Sequence, residues 1–305
     1  QKKITFKCIY NNMQKKPLIT IFTPSYNRSH TLERCYRSIL KQGFTDFEWM
    51  LVDDGSVDDT EAVVHSFIKE NKIKIRYFKQ SNQGKQAAWN FAVQHADGQF
   101  FIGLDSDDTL IEHALQSLLP LVEKSRNESQ IIGIRCEAIR HSTRKQDGIS
   151  ISSAIKKSDW FHEFSKRKHF GERIDILKTE YLQKFLYPVN DSIRFIPEAW
   201  FYAETASEGF KFYYTPSPLS LFFDNETSNR LSLSLLKEHA AGHYIARANM
   251  LNKIPLWVWA KNPLAYIKTI IRFSQTARIQ SIDFSQRKKD SGFFYATISY
   301  ILFFF

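Results

Sequence analysis

The chain has 305 residues, long enough for one large domain or for one domain with an appendage. Its composition, 43% hydrophobic and 24% charged, is that of a globular protein with an apolar core. The three cysteines have no metal-ligand spacing, which argues against a zinc site and a disulfide framework and favours a reducing compartment. We find no signal peptide pattern and no run of the ~20 apolar residues that cross a bilayer. The net charge of +10 is concentrated in residues 251–305, which hold eight basic and two acidic residues.

The first 140 residues alternate between short apolar runs and helical patterns. The apolar runs predict five strands, at 18–23, 47–54, 73–79, 99–105 and 130–139. Helical spacing and capping residues predict the helices between them, at about 31–42, 55–71, 83–96 and 109–124. This alternation is typical of an α/β fold, with a mostly parallel twisted sheet and helices on both faces. Ligands of such sheets bind beyond the carboxyl ends of the strands, where several motifs of this chain fall.

The alternation loosens after residue 150. We expect a strand and then a helix within 167–185, a helix after Pro197, and two strands at 210–214 and 218–223. The block after about residue 228 is predicted to be helical and becomes increasingly basic and aromatic.

Three carboxylates, those of Asp105, Asp107 and Asp108, follow the predicted fourth strand. Their mutual repulsion costs free energy unless positive charge balances it. An EF-hand loop starting at Asp105 would need Gly and Glu where Leu110 and Gln116 stand, so a calcium loop is excluded. Two interpretations stay open. One is a solvated turn, and the other is a site for Mg²⁺ or Mn²⁺, which prefer oxygen ligands and leave room for phosphates and water.

A second group of carboxylates follows the predicted second strand. Asp53 and Asp54 are candidates to bind a ligand, because an acid at this position of a dinucleotide-binding fold bonds a ribose hydroxyl or a base N–H. Asp58 and Asp59 are instead predicted to cap the next helix, where the helix dipole favours negative charge.

The first predicted strand ends in the turn TPSYNR, residues 23–28. Tyr26 offers an aromatic face on which a base can stack, although Pro-Ser-Tyr-Asn is also ordinary turn chemistry. The chain contains neither the glycine-rich dinucleotide fingerprint nor the P-loop motif, which argues against an NAD Rossmann domain and a P-loop.

Together, four motifs resemble those of the family 2 glycosyltransferases with the GT-A fold, of the type that builds bacterial polysaccharides. In chain order they are ITIFTPSYNR, VDDGSVDDT, NQGKQAAWN and GLDSDD. The resemblance is strong over residues 17–140 and looser to about 225. It implies a nucleotide-sugar donor bound across the strand ends.

The resemblance also implies roles for single residues. Pro24, Tyr26, Asp53 and Asp54 match donor-binding positions, with Tyr26 and Asp54 at the positions that usually hold the base. Lys85 is the candidate for the donor diphosphate, because Trp89 stands where the family usually has an arginine.

The metal site is implied by the family's D-x-D motif, which Asp105-Ser106-Asp107 matches. Asp107 matches the usual metal ligand. Asp105 matches the position near the ribose and is the second metal candidate. Asp108 is close enough in sequence to compete with Asp107 for the ion.

The resemblance also places a catalytic base after the D-x-D strand, as an acidic residue that opens a helix. Glu198 matches this position, with Glu204 and Asp191 as alternatives. A glutamate in the first turn of a helix is also favoured by the helix dipole alone, so a purely structural role stays open.

These observations predict a GT-A catalytic domain at 13–225 and a helical extension at 226–305, with residues 1–12 given little weight because Met13 is a plausible start. The expected reaction is metal-dependent transfer of a sugar from a nucleoside-diphosphate donor to a hydroxyl acceptor in surface polysaccharide biosynthesis. UDP is the preferred nucleoside diphosphate. Inversion at the anomeric carbon follows from the resemblance. The alternatives are a nucleotidyltransferase acting on sugar phosphates and a non-catalytic nucleotide- or nucleic-acid-binding module.

The extension suggests a membrane surface. Over 254–282, we expect Leu264, Ile267 and Ile271 on one helix face and Lys268, Arg272 and Arg278 largely on the other. Trp257 and Trp259 suit a headgroup boundary. The sequence therefore predicts an enzyme that is peripheral on the inner face of the cytoplasmic membrane, in contact with anionic lipid and a sugar or lipid-linked acceptor, and without a nucleic acid partner. A helix packed against the catalytic domain is the alternative.

Overall fold

The computed structural model describes residues 16–151, 154–166, 171–224 and 236–302. The proposed start at Met13, and parts of the segments predicted at 167–185 and after 228, lie outside these ranges. In the described residues the strands are β1 (Ile19–Ser25), β2 (Phe47–Asp53), β3 (Ile75–Lys79), β4 (Phe100–Gly103), β5 (Thr109–Leu110), β6 (Ile131–Arg140), β7 (Lys156–Ser158), β8 (Arg173–Lys178) and β9 (Lys211–Phe222). The helices are α1 (Ser29–Leu40), α2 (Thr60–Glu70), α3 (Lys85–His95), α4 (Ala114–Arg126), α5 (Trp160–Phe164), α6 (Thr179–Leu182), α7 (Ala199–Ser207), α8 (Ala240–Lys253), α9 (Leu256–Lys261), α10 (Pro263–Ile279) and α11 (Phe284–Ile301).

The described strands form one sheet in the order β3-β2-β1-β4-β8-β6-β9-β5, with β7 paired to β9. The four strands β3, β2, β1 and β4 run parallel. Beyond β4, the pairs β4–β8, β8–β6 and β5–β9 are antiparallel. The predicted α/β fold with a mostly parallel central sheet is confirmed, and the antiparallel strands extend that sheet on one side.

Side-chain alternation along β1 explains why helices cover both faces of the sheet. Ile19 and Ile21 belong to the main apolar core, which also contains Leu32 of α1 and Phe67 of α2. Phe22 points the other way, where its ring packs against those of Trp89 on α3 and Phe101. A strand with buried side chains on both of its sides in this way is typical of a sheet covered on both faces.

One predicted break in a strand is wrong. The two strands expected at 210–214 and 218–223 are a single strand, β9. Pro216 and Pro218 lie within this strand, because proline fixes φ near −65°, which extended chain tolerates wherever no N–H is needed for pairing.

The chain forms two compact units. The first consists of residues 1–157, 170–186 and 212–227 and holds the sheet. The second consists of 158–169, 187–211 and 228–305, and its described part is helical. Its apolar clusters join α5, α7, α8 and α9, and then α8, α10 and α11. The predicted division into domains at residue 225 stays a prediction, because the two units interleave along the chain.

The structure of the second unit corrects the expected distribution of apolar and basic residues around α10. Its buried side chains are Thr269, Phe273, Ser274, Thr276 and Ala277. Leu264, Ile267 and Ile271 are exposed, and Lys268, Arg272 and Arg278 are exposed with them. The prediction that apolar and basic residues occupy different faces is therefore wrong, because α10 packs through its Thr/Phe/Ala side. Within the described residues, no helix combines the length and apolar content needed to cross a bilayer.

Candidate active site

The site lies at the carboxyl ends of the parallel strands, all within the first unit. The strand register pairs Ser25 at the end of β1 with Asp53 at the end of β2. It also pairs Phe22 with Gly103, two residues before Asp105. The amide of Asp54 donates to the carbonyl of Ser25 over 2.8 Å. The motifs at 23–28, 53–54 and 105–108 therefore meet at one edge of the sheet, as their positions after the strands predict.

The carboxylates of Asp105, Asp107 and Asp108 lie close together at these carboxyl ends of the strands. One ligand oxygen from each lies within 4.8 Å of the others. Two cations lie beside them: Lys85 Nζ is 2.7 Å from Asp105 Oδ1, and Arg28 Nη2 is 3.7 Å from Asp107 Oδ2. A cluster of carboxylate oxygens with adjacent cationic side chains has the donor set of a hard divalent cation next to a site for phosphate.

Asp108 differs from its two neighbours. Its Oδ1 accepts a hydrogen bond of 3.0 Å from the amide of Phe223, directly after β9. Burial raises the pKa of the Asp108 carboxyl well above its usual range, and repulsion from Asp105 and Asp107 raises it further. These contacts favour a role for Asp108 in attaching the acidic loop to the end of β9, and they leave Asp105 and Asp107 as the carboxylates next to cations.

Two arginines of this site were not among the residues proposed from the sequence. Arg34 of α1 donates from Nε to the main-chain carbonyl of Asp107 over 3.1 Å, and its Nη2 donates to the same oxygen. The Arg34 guanidinium also lies 3.9 Å from the centre of the Phe223 ring. Arg28 stands in the TPSYNR turn, so its motif was visible in the sequence. Arg34 has no such signal, because it is 73 residues from its partner.

Asp53 and Asp54 shape the loops around the site. Asp53 is fully buried, and its two oxygens accept from the Ser56 amide and the Tyr77 hydroxyl, each over 2.7 Å. These contacts favour a structural role for Asp53.

The Asp54 carboxylate accepts from the amides of Gln83 and Gly84 and from the Gln80 side chain. Burial raises the pKa of Asp54, although these three hydrogen bonds oppose the shift. Asp54 thereby fixes the loop that leads into α3.

The start of α3 carries Lys85 toward the acidic cluster. Gly84 precedes it with a φ of 95°, a left-handed conformation that glycine adopts without strain. Trp89, one turn later, packs edge-on against Phe22 and Phe101 with ring centres 5.9 and 5.0 Å away. Position 89 therefore supplies packing rather than charge, and Lys85 is the cation that α3 brings to the cluster.

Tyr26 is the exposed aromatic residue of the first loop, with 42% of its surface accessible. The next residue, Asn27, holds the loop: its amide donates to Ser56 Oγ, and its side-chain oxygen accepts from the Val57 amide, each over 2.9 Å. Pro24 is half-buried at the end of β1. The Tyr26 ring is thus left open to a ligand beside a loop that is tied to its neighbour.

The prediction that Asp58 and Asp59 cap α2 holds for Asp58, which accepts from the amide of Thr60, the first residue of α2, over 3.1 Å. Asp59 occupies the N-cap position but accepts no capping hydrogen bond. Asp58 also accepts from the amide and hydroxyl of Ser29, the first residue of α1, over 3.0 and 2.7 Å. It joins the starts of two helices.

The proposed base belongs to the second unit. Glu198 is exposed at the N-cap position of α7, so the helix predicted after Pro197 is present. Of the alternatives, Glu204 lies within α7 and pairs with Lys253 over 3.4 Å, and Asp191 is exposed in a turn. A role of any of these three residues as the base stays a prediction.

The fold is that of the GT-A glycosyltransferases. Residues 1–349 of S. aureus TarS in complex with UDP-GlcNAc superpose with a TM-score of 0.63 at 14% identity, covering 93% of this chain and 91% of that one. The mannosyltransferase PcManGT from Pyrobaculum calidifontis, in complex with GDP-Man and Mn²⁺, superposes with a TM-score of 0.54 at 12% identity over 96% and 88%.

The chain belongs to glycosyl transferase family 2, whose model matches residues 20–181. It is 31% identical over 172 residues to the GalNAc(5)-diNAcBac-PP-undecaprenol beta-1,3-glucosyltransferase of Campylobacter jejuni, a match that covers 55% of this chain and 53% of the relative. It is 40% identical over 108 residues to a chondroitin synthase of Escherichia coli, covering 35% and 16%. The matched segment thus spans about half of the first relative and a smaller part of the second.

Proposed function

We propose that this glycosyltransferase moves a sugar from a UDP-based donor to a hydroxyl acceptor in surface polysaccharide biosynthesis, with Mn²⁺ or Mg²⁺ as cofactor and inversion at the anomeric carbon. The observation that carries the proposal is the convergence of three carboxylates within 4.8 Å at the strand edge that also presents Tyr26. A sugar nucleotide has a flat base, a ribose and a diphosphate. The exposed ring, the acidic cluster and the nearby lysine offer one partner for each part.

Asp107 and Asp105 are the residues that would hold the cation. When bound, a divalent ion neutralises the charge that develops on the leaving diphosphate. Lys85 would act beside it as a point charge toward the same diphosphate, since it already lies against Asp105. Arg34 would keep the main chain of Asp107 in place.

The donor base would stack on Tyr26, with Pro24 and Asp54 forming the floor of its pocket. Asp53 would support this pocket from inside the sheet, through Ser56 and Tyr77. Glu198 would take the proton from the acceptor hydroxyl as that oxygen attacks the anomeric carbon. This last assignment depends on the order of motifs in the family and on the exposed position of Glu198 before α7.

The acceptor and the location form the last part of the proposal. The Campylobacter relative is named for an acceptor linked to undecaprenol through a diphosphate, and residues 251–305 of this chain carry a net charge of +6. We propose a sugar or lipid-linked acceptor and a peripheral position on the inner face of the cytoplasmic membrane, against anionic lipid.

A donor screen that measures release of nucleoside diphosphate tests the function. The purified protein is incubated with UDP-, GDP- and dTDP-sugars, with Mn²⁺, with Mg²⁺ and with EDTA. We expect UDP release from one or more UDP-sugars, and loss of that release in EDTA and in Asp107→Asn. Formation of pyrophosphate from UTP and a sugar 1-phosphate would instead identify a nucleotidyltransferase. Binding of UDP without turnover of any donor, in the presence of mixed lipid-linked and soluble acceptors, would favour a binding module.

A further inference from the structure

We propose that the exposed side of α9, α10 and α11 is the surface through which this protein binds an anionic lipid bilayer. We call it the apolar-basic surface. Its apolar residues are Leu256, Trp257, Leu264, Ile267, Ile271, Ile279, Phe293 and Phe294, and its basic residues are Lys261, Lys268, Arg272, Arg278, Lys288 and Lys289. The inference rests on the proposed membrane location and names the residues that produce it.

Exposed apolar side chains are concentrated in this part of the molecule. Among the described residues, fourteen large hydrophobic side chains are exposed, and eleven of them lie between Leu256 and Leu302. The other three, Tyr26, Val57 and Ile155, are scattered over the first unit. Single exposed apolar residues are ordinary, but such a concentration is typical of an interaction site.

On α10, the exposure of apolar residues follows from the way the helix packs. Leu264, Ile267 and Ile271 are spaced by three and four residues, so they form one line along the helix, and their exposures are 66%, 52% and 42%. The buried line of α10 contains Phe273 and Ala277. The helix thus has a packed side, and a second apolar line is left outside it.

Positive charge accompanies the apolar residues. Lys268, Arg272 and Arg278 are exposed on the same outer side of α10. In addition, Lys261 Nζ lies 5.2 Å from the centre of the Trp257 ring, and Lys288 Nζ lies 5.7 Å from that of Phe293. An aromatic ring with an ammonium group beside it suits the depth of lipid headgroups, where the ring contacts acyl chains and the cation contacts phosphate.

The two acidic residues of this segment lower that positive charge without reversing it. Asp283 caps α11 by accepting from the Gln286 amide over 2.8 Å. Asp290 accepts from the Tyr244 hydroxyl over 2.8 Å and from the Gln286 side chain. Asp283 is exposed and Asp290 is half-buried, so the six exposed basic residues outnumber the two acids and this segment keeps a net positive charge.

The combination of charge and apolar area favours a bilayer over other partners. A second copy of the chain, joined by a two-fold axis, would bring this positive surface against itself. A nucleic acid would match the charge but leave Leu264, Ile267 and Ile271 against phosphates and water. An anionic bilayer matches both features, because its headgroups attract the basic residues and its interior accepts the apolar ones.

Binding to vesicles tests the proposal with the full chain. Vesicles of phosphatidylglycerol mixed with phosphatidylcholine are compared with vesicles of phosphatidylcholine alone in a sedimentation assay at increasing salt. We expect binding to the anionic vesicles that weakens with salt but persists, since salt screens only the charges. Neutralising two cations in Lys268→Gln/Arg272→Gln should weaken binding about tenfold to thirtyfold. The triple variant Leu264→Ser/Ile267→Ser/Ile271→Ser should lose the vesicle binding that remains at high salt.

Matched variants in the first unit serve as controls. Lys69→Gln/Lys145→Gln removes the same charge from exposed positions outside the surface, and Ile155→Ser removes an exposed apolar side chain. Both should bind vesicles as the wild type does, and the thermal midpoint of every variant is compared with that of the wild type. The proposal is overturned if the wild type ignores anionic vesicles at low salt, or if both sets of variants lose binding equally. A dimer that dissociates in the α10 triple variant, without vesicle binding, would identify a second copy as the occupant.

The outcome is separable from the proposed reaction. UDP release from a donor is measured in the absence of vesicles with the same variants. Vesicle binding without any donor turnover would support the apolar-basic surface and contradict the proposed reaction. Donor turnover without vesicle binding would support the reaction and contradict the surface.

Discussion

The ammonium group of Lys85 lies 2.7 Å from a carboxylate oxygen of Asp105, so the acidic cluster carries a counter-cation of its own. Arg28 stands in a similar relation to Asp107, at 3.7 Å. The negative charge of the acidic cluster is therefore offset in part by two side chains, one from the start of α3 and one from the loop before α1. A divalent cation bound at Asp105 and Asp107 would compete with these two groups and free them to contact a diphosphate.

This competition predicts opposite effects of Lys85→Met on two ligands. Affinity for Mn²⁺ alone should be unchanged or higher, because a competing positive charge is removed. Affinity for UDP in the presence of Mn²⁺ should fall roughly tenfold to 100-fold, because a charge-assisted contact to the diphosphate is lost. Titration calorimetry with Mn²⁺ and then with UDP measures both. Equal losses of the two affinities would mean that Lys85 positions Asp105 and does not touch the donor.

The choice between Asp107 and Asp108 as metal ligand predicts different results for two neighbouring variants. Asp107→Asn should weaken metal-dependent UDP binding by roughly 100-fold, because it removes a charged oxygen ligand. The fold should persist with an equal or higher thermal midpoint, since repulsion within the cluster falls. Asp108→Asn keeps an oxygen that can accept from Phe223 and should change UDP binding less. A larger effect at Asp108 than at Asp107 would reverse the assignment.

The sequence predicted the strands and the place where the motifs meet, because both follow from short-range rules. Mostly apolar runs define β1, β2 and β4, and the parallel arrangement brings Asp53 and Asp105 to the same end of the sheet. Contacts between distant elements were not predictable in this way. Arg34 reaches Asp107 across 73 residues and looks in the sequence like any basic residue on a helix surface.

The arrangement of apolar and basic residues on α10 was also predicted wrongly because it depends on contacts between distant elements. Spacing identifies two lines along the helix, one through Leu264 and Ile271 and one through Phe273 and Ala277. The first is more apolar and was expected to form a face of its own, apart from the basic residues. Packing among α8, α10 and α11 buries the second line, around Phe273 and Tyr244, and leaves the first outside with the cations. Which line is buried depends on tertiary contacts that the spacing does not contain.

Arg34 is expected to act as a positioning residue. Arg34→Met removes two hydrogen bonds to the Asp107 carbonyl and the contact with the Phe223 ring. The concentration of Mn²⁺ needed for half-maximal activity should rise roughly tenfold, while kcat at saturating Mn²⁺ stays within about threefold of the wild type. Arg34→Lys keeps one donor and should recover part of the metal affinity. A fall in kcat that saturating metal does not restore would contradict a role through Asp107.

Asp58 predicts a pH dependence of stability. Partial burial raises the pKa of its carboxyl, but hydrogen bonds from Thr60 and Ser29 outweigh this and lower the pKa to about 2. A carboxyl whose pKa is lowered by folding stabilises the protein above its unfolded pKa, about 3.9, and loses that contribution as the pH falls toward 2. Because Asp58 is exposed, we expect on the order of 1 kcal/mol, less than the full shift implies. Urea unfolding of the wild type and Asp58→Ala should differ by this amount at pH 7, and the difference should shrink below pH ~4 and vanish as the pH falls to about 2. A difference that stays constant with pH would exclude the charge as its source.

Glu198 provides the test of the acceptor side. Glu198→Gln keeps the size of the side chain and its position before α7, but an amide cannot take a proton from the acceptor hydroxyl. Turnover should fall roughly 100-fold or more, with UDP affinity unchanged, because the donor residues belong to the first unit and remain intact. Glu204→Gln is the matched control: Glu204 lies on the same helix and pairs with Lys253, so its loss should lower stability more than turnover. The rate of hydrolysis of the donor by water, measured without acceptor, separates loss of the base from loss of acceptor binding. If Glu198→Gln turns over normally and Glu204→Gln does not, the base lies one helical turn or more further along α7, and the register inferred from Pro197 is wrong.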